Sequence, residues 1–279
     1  MIALLHRRTF TSAPVWDTRP RGAPGISARP GGAWKRCCMD RRRLETKKTL
    51  DDCMDKMLKP TTGTRFDFGP LAGEYENWYS TPAGQEYDLV QRQDVLKLLR
   101  TDTARGRLLD VGCGTGHWSR FFQSRGYKVQ GIDISEGMIR EAMSVAPECA
   151  FGIADARALP FRAASFDVVA CMATLEFIIA PGTAVREMAR CVKPGGSLII
   201  GTLNRLSELN RDRLSRGEQP YASGQLFSPR ELWDLLSSWG RPRMLASSSK
   251  GSPDRIVTDL PPDLTSPFAG AFIIAEVRR

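Results

Sequence analysis

From Phe66 to the C-terminus, short apolar runs alternate with segments whose apolar residues recur at helical spacing. RLLDV, YKVQGID, AFGIAD, FDVVACM and GSLIIGTL read as short buried strands, and HWSRFFQSRG, SEGMIREAMSV and GTAVREMARCV among them read as helices. GQEYDLVQRQDVLKLLRT (84–101) comes first, with a helical stripe of Tyr87, Val90, Val95, Leu96, Leu98 and Leu99. SPRELWDLLSSWG (228–240) predicts a helix with Ser228 as N-cap and Gly240 at C′. RMLASSSK and AFIIAEVRR supply two last strands, and no internal repeat is visible. Strands alternating with helices predict an α/β domain, a parallel sheet with helices on both faces.

Charge separates this domain from what precedes it. The chain carries a formal net charge of +9, and Lys and Arg outnumber Asp and Glu by 14 to 6 in residues 1–60. The remainder is near neutral, which argues against a broad phosphate-binding face. Residues 1–38 are rich in Arg, Pro and Gly with one acid, Asp17. They fit an organelle presequence, a flexible basic arm for an acidic partner, or a translated upstream stretch with the start at Met39, Met54 or Met57. Residues 1–65 are expected to form a disordered basic extension, with a short helix around Leu50–Leu58 closed by Pro60, and 66–279 the folded domain.

Seven cysteines (Cys37, Cys38, Cys53, Cys113, Cys149, Cys171, Cys191) form no CxxC pair, and the two histidines, His6 and His117, stand at no ligand spacing to them. That argues against structural zinc, and the odd count suits a reducing compartment. No apolar run approaches the ~20 residues that span a bilayer. The chain therefore reads as soluble and cytoplasmic, with organelle targeting through the Arg-rich N-terminus as the alternative.

The chemistry concentrates in LLDVGCGTGHWSRFF (108–122). A strand ends at Asp110–Val111, and Gly112, Gly114 and Gly116 form the turn into a helix. In doubly wound sheets ligands sit at such strand ends. A dinucleotide G-x-G-x-x-G turn needs its third glycine at 117, where this chain has His117, and no G-x-x-x-x-G-K-[ST] loop exists. The pattern is D-x-G-x-G-x-G. An acid two residues before the first glycine repels a pyrophosphate and tolerates or recruits an ammonium group. The turn points to a cationic, non-phosphorylated ligand.

LLDVGCGTG resembles motif I of the class I S-adenosylmethionine-dependent methyltransferases. GIDIS (131–135) resembles motif II, which implies that Asp133 holds both ribose hydroxyls and that Ile134 and Met138 pack on the adenine faces. ADARALPF (154–161) is similar to motif III, which gives Asp155 and the backbone of Ala156 the adenine edge. FDVVACMATLEFI (166–178) resembles motif IV, and CVKPGGSLII (191–200) the turn before the fifth strand. The resemblance covers roughly residues 70–279. It implies a Rossmann-like, doubly wound, seven-stranded and mostly parallel sheet with the last strand antiparallel. It also implies S-adenosylmethionine as co-substrate, with no metal.

After the fourth strand the chain has CMATLEF, neither the [DNS]-P-P-[YF] of nitrogen methylation nor a Pro-Cys nucleophile, since Ala170 precedes Cys171. Nucleic-acid substrates lose ground, and no acidic cluster for metal-assisted catechol methylation can be assembled. The small-molecule branch that includes the ubiquinone/menaquinone-type and type 11 enzymes remains. FDFGPLAGEYENWYSTPAGQEYD (66–88) resembles its N-terminal lid, with Tyr75, Glu76, Trp78 and Tyr79 in the pattern. Such a lid would exclude water and set aromatic faces, Tyr75 included, toward the cationic sulfonium. The alternative is that these aromatics only pack a helix on the sheet. TLNRLSELNRDRLSRGEQPYASGQLFS (202–228) is long for a loop and offers Asn204, Arg205 and Tyr221. With Tyr79 and Glu176 they complete the candidate acid/base or orienting groups, none singled out as base. His117 is read as a helix N-terminal residue without a metal role, and Cys113 and Cys171 as buried packing residues.

The reading is a methyltransferase acting on a small-molecule acceptor. Two alternatives stand beside it: a protein or RNA methyltransferase with the basic tail as docking arm, and a non-catalytic S-adenosylmethionine-binding protein. The sequence does not indicate an oligomeric state.

Overall fold

The structure, a computed structural model, describes residues 63–99, 106–247, 256–261 and 268–279. The expected extension up to residue 62, with its Leu50–Leu58 helix and Cys37, Cys38 and Cys53, lies outside the described residues. Seven strands form one sheet: β1 Arg107–Val111, β2 Lys128–Asp133, β3 Ala150–Ile153, β4 Phe166–Met172, β5 Val192–Leu203, β6 Arg243–Ser247 and β7 Phe272–Arg278. Their order is β3-β2-β1-β4-β5-β7-β6. Strands β1 to β5 pair in parallel, and β7 runs antiparallel to both β5 and β6. This is the predicted Rossmann-like arrangement.

Consecutive residues of β1 serve opposite faces, as the pleat requires. Leu108 packs with Val95, Leu98 and Phe122, whereas Leu109 packs with Met188 and Leu232. The first layer is built by α2 (Pro82–Leu98) and α3 (His117–Ser124), the second by α5 (Pro181–Cys191) and α7 (Pro229–Ser237). All these side chains are fully buried, and each such Leu contributes ~1.5–3 kcal/mol relative to exposure. The remaining described helices are α1 (Ala72–Ser80), α4 (Glu136–Val145) and α6 (Glu208–Ser215).

Helix starts follow their caps. Thr81 accepts from the Gly84 N–H ahead of α2, Ser135 caps α4, and Ser228 forms a capping box with Glu231 on α7. Two expectations change. Helix α7 ends at Ser237 with Ser238 as its cap, so Gly240 is not its C′ residue. A side chain at Gly240 would run into the Arg278 carbonyl of β7. The segment 202–228 is not one loop, since it contains α6 and a 3-10 turn, Tyr221–Ser223. Helix α6 has no apolar stripe to reveal it. It is held by its Ser207 cap and by buried Asn210, whose amide donates to the carbonyls of Asn204 and Ala271 at 2.9 and 2.8 Å.

Candidate functional site

The sheet order reverses between β1 and β4, and the glycine turn lies just past the end of β1. The turn is pinned to β2: Gly112 N–H and Cys113 N–H both donate to Ile132 O, at 2.8 and 2.9 Å. Gly112, Gly114 and Gly116 all take left-handed φ, +70°, +52° and +85°. Their neighbourhoods differ. A side chain at Gly112 would collide with that of Thr174, whose hydroxyl donates to Gly112 O at 2.9 Å. A Cβ at Gly114 would meet no protein atom within 4 Å, although Gly114 lines the cavity.

Asp133 ends β2 facing this turn. Its Oδ2 accepts from Gly114 N–H at 3.0 Å and its Oδ1 from Ser135 N–H at 2.9 Å. Removal from water pushes its carboxyl above the usual range, while the backbone donors Ser135, Gly114 and Ile134 pull the other way. One cavity brings together Gly112, Gly114, Asp133, Ile134, Met138, Asp155, Ala156, Tyr75 and Tyr79. Arg157 grips Asp155 with Nη2 at 2.7 Å and Nε at 3.0 Å from Oδ2, and this pairing lowers the Asp155 pKa.

Asp110 is not in that wall. Its carboxylate is turned beneath α3 and accepts from Ser119 Oγ at 2.6 Å, and burial raises its pKa to about 7. Gly116 likewise does not line the cavity: a Cβ there would press on Phe151 and Ala142.

Residues 63–71 run over the cavity as a strap. Thr64 pairs with Ile178, Arg65 N–H donates to Phe177 O at 2.6 Å, and Ile179 N–H donates to Gly63 O at 2.9 Å. Ordered contacts therefore begin ahead of Phe66. At its other end the strap rests on α4, where a Cβ at Gly137 would meet Gly69 O at 3.0 Å. Phe68 lies edge-on to Phe66, Tyr75 and Phe177, with centroids 4.7, 6.1 and 4.9 Å away. Trp78 is 42% exposed and does not line the cavity.

His117, the first residue of α3, is part of the site. Its ring stacks on Tyr79 with centroids 3.6 Å apart and planes 12° from parallel. Nε2 lies 2.7 Å from Asp88 Oδ1 and 2.9 Å from Arg92 Nη2, and Nδ1 lies 3.7 Å from Glu76 Oε2, ion-pair range but too long for a hydrogen bond. Thr115 Oγ1 donates to the same Glu76 carboxylate. Asp88 stands 29 residues upstream on another helix, so no local pattern announced this cluster. Thr115, Thr174, Phe68 and Phe177 also line the cavity.

The acid/base candidates part company. Tyr79 is in the cavity wall with its phenol pKa raised well above the usual value by burial, and burial likewise lifts Tyr75 to about 12. Glu176 is fully buried and outside the wall; its Oε2 accepts from Thr202 Oγ1 at 2.8 Å. Its Oε1 has no hydrogen-bond partner among the described residues, and burial raises its pKa to about 7. Asn204 is also outside, with its amide donating to Phe268 O and Gly270 O at 2.6 and 2.8 Å. Tyr221 lies under the Arg213 guanidinium, 4.1 Å from the ring centroid, and Arg205 pairs with Glu231 at 2.9 Å. Among the described residues no group of three or more His, Cys, Asp or Glu is arranged to hold a metal ion.

Residues 109–200 match the family model described as "Methyltransferase domain" (Methyltransf_11). Malonyl-[acyl-carrier protein] O-methyltransferase of Enterobacter lignolyticus is 32% identical over 163 residues, 57% of this chain and 64% of that protein. The chain thus spans just under two thirds of that relative. Ubiquinone biosynthesis O-methyltransferase of Coxiella burnetii is 32% identical over 182 residues, 59% of this chain and 76% of that one. The solved structure of an S-adenosylmethionine-dependent methyltransferase from Thermotoga maritima superposes with a TM-score of 0.61 at 26% identity, over 76% of this chain and 97% of that one.

Proposed function

The chain belongs to the class I S-adenosylmethionine-dependent methyltransferases of the Methyltransf_11 type, and from that premise we propose that it methylates a small molecule held under the strap. The observation that carries this reading is the strap itself. Its pairing with residues 177–179 and its Phe66–Phe68–Phe177 cluster cover the strand ends, a geometry suited to a compact acceptor rather than to a folded macromolecule.

The residues of the wall fit the donor. Each Asp133 oxygen already accepts one backbone N–H, which fixes the carboxylate and leaves lone pairs for two vicinal hydroxyls. Ile134 and Met138 supply apolar faces, and Asp155, immobilised by Arg157, and the Ala156 backbone are the groups we assign to the adenine edge. The bare Gly114 backbone admits close approach. S-adenosylmethionine supplies an electrophilic sulfonium methyl when bound. The protein's part is to orient the acceptor in line, keep water out and present the neutral phenols of Tyr75 and Tyr79, and positioning of this kind can contribute ~7–11 kcal/mol.

The test offers methyl-labelled donor with three pools: a metabolite extract, total RNA and total protein. The reading expects label in the small-molecule pool. Label confined to RNA or protein would favour a docking-arm enzyme. Donor binding without transfer to any pool would favour a non-catalytic binder.

A further inference from the structure

The cluster around His117 is more elaborate than packing requires. An imidazole at a helix N-terminus is an unfavourable place for positive charge, because the helix dipole opposes it. Yet two carboxylates converge on this ring, Asp88 from α2 at 2.7 Å and Glu76 from α1 at 3.7 Å. Both carboxylates sit on the helices that continue the strap, whereas His117 and Thr115 belong to the glycine turn and its helix. Tyr79, stacked flat on the ring, is itself cavity wall.

We propose that His117 is a positioning residue for methyl transfer: its imidazolium clamps α1 and α2 to the glycine turn, and so holds Tyr79 and the lid closed over the cavity. The proposal rests on the reading that this cavity takes the donor.

The contacts define two states of the ring. Nε2 faces both Asp88 and Arg92. Two N–H donors cannot bond to each other, so the charged ring donates to Asp88, and only a neutral ring can accept from Arg92. A neutral ring keeps a partner on α2 either way, by donating to Asp88 or accepting from Arg92, so charge on the ring is felt chiefly at Glu76 of α1. Burial works against that charge, but the Asp88 hydrogen bond and the Glu76 carboxylate outweigh it and raise the His117 pKa. His117, together with Thr115 and Arg120 at Glu76 and Arg92 at Asp88, holds both carboxylates below their usual values despite their burial.

The groups facing the ring are Glu76 and Tyr79 from α1, Asp88 and Arg92 from α2, and Asp110 from β1; Arg120 of α3 reaches Glu76 at 3.9 Å. A histidine with a raised folded pKa contributes fully below its unfolded value near 6.5, and that contribution is lost as pH rises through the folded value. The two lowered carboxylates contribute above their unfolded values, and their contribution is lost in acid. The clamp is thus tightest between these limits.

Hydrogen–deuterium exchange of the α1 amides, corrected for intrinsic exchange rates, reads the clamp without any ligand. In the wild-type full chain, α1 protection should fall at least about fivefold as pH rises above the ordinary histidine range, since the upper end for an exposed ion pair is a floor for this buried one. It should fall again in acid. His117→Phe keeps a flat ring against Tyr79 and removes the charge; its α1 should be less protected near neutrality and show no alkaline step. Glu76→Gln should lower protection in the same direction, and it carries the comparison if His117→Phe does not fold. Asp110→Asn should keep the alkaline step.

Wild-type protection and pH dependence in His117→Phe or Glu76→Gln would overturn the clamp. So would an alkaline step missing from the wild type or abolished by Asp110→Asn. Titration with S-adenosylmethionine on the same samples separates this from the functional reading. A wild type that shows the protection step but binds no donor keeps the clamp and loses the cavity assignment. Normal donor binding with α1 protection indifferent to His117 does the reverse.

Discussion

Gly114 donates its backbone N–H to Asp133 Oδ2 at 3.0 Å, across 19 residues of sequence. The turn after β1 and the acid ending β2 thereby form one rigid edge of the cavity. The bond orients a carboxylate whose remaining lone pairs face the wall in which Ile134, Met138 and Asp155 also stand.

Asp133→Ala removes the acceptor for its backbone donors and for the two ligand hydroxyls proposed to bind there. Donor affinity should fall by ~2–4 kcal/mol, as expected for charged hydrogen bonds. Calorimetric titration with S-adenosylmethionine checks this, and unchanged affinity would take Asp133 out of the site.

Gly112 and Gly114 should fail differently. At Gly112, alanine meets the Thr174 side chain and also strains a left-handed backbone, so melting temperature should drop sharply. At Gly114 the Cβ of valine meets no protein atom within 4 Å, so the domain should stay folded with a backbone penalty of ~1–2 kcal/mol while donor binding is lost. Equal effects of the two substitutions on stability and binding would contradict this division.

Asp110 sets a pH dependence of stability. Its carboxyl is raised to about 7 by burial, with the Ser119 hydroxyl lowering it only in part. The fold therefore favours the neutral acid. Stability from this group is full below the unfolded value near 4 and declines as pH rises toward 7. Asp110→Asn keeps an acceptor for Ser119 and removes the ionisation. Relative to wild type it should gain stability at pH 8, by up to roughly 4 kcal/mol, and gain little at pH 4. Glu176, also raised to about 7, should impose a similar slope that Glu176→Gln relieves. Thermal melts of each variant across this range measure it; parallel curves would rule out both.

Phe68→Ala should open the strap without unfolding the domain. Phe68 joins Phe66, Tyr75 and Phe177, and the sheet core lies elsewhere. Turnover should fall about tenfold, the scale of an aromatic contact set worth ~1.5 kcal/mol, with a small change in melting temperature. Turnover at the wild-type level would remove the strap from the reaction.

What the sequence shows clearly is what is local. The glycine turn, Asp133 with its strand end, and Asp155 with Ala156 are each written in a few adjacent residues, and all but Gly116 and Asp110 meet in one wall. The sheet follows from apolar runs of strand length, and the cap of α7 from Ser228. What sequence does not show depends on distant partners. Asp110 stands in the motif, yet Ser119 on the next helix draws its carboxylate away from the cavity. Asn204 has suitable chemistry, but the carbonyls of Phe268 and Gly270 already occupy its amide, and Tyr221 stands outside the cavity wall with the Arg213 guanidinium over its ring. The cluster at His117 forms only when α1 and α2 bring Glu76 and Asp88 to it. Helix α6 is polar along its length and is fixed by Asn210 reaching Ala271, a contact with no sequence periodicity.

The most direct test is to irradiate the full chain with methyl-tritiated S-adenosylmethionine under ultraviolet light and map the labelled peptide. The cavity predicts label in the peptides carrying Tyr75 and Tyr79 or residues 112–118, displaced by S-adenosylhomocysteine and absent from Asp133→Ala. Label in peptides remote from this wall, or label that the product does not displace, would contradict the assignment of the cavity as the site of methyl transfer.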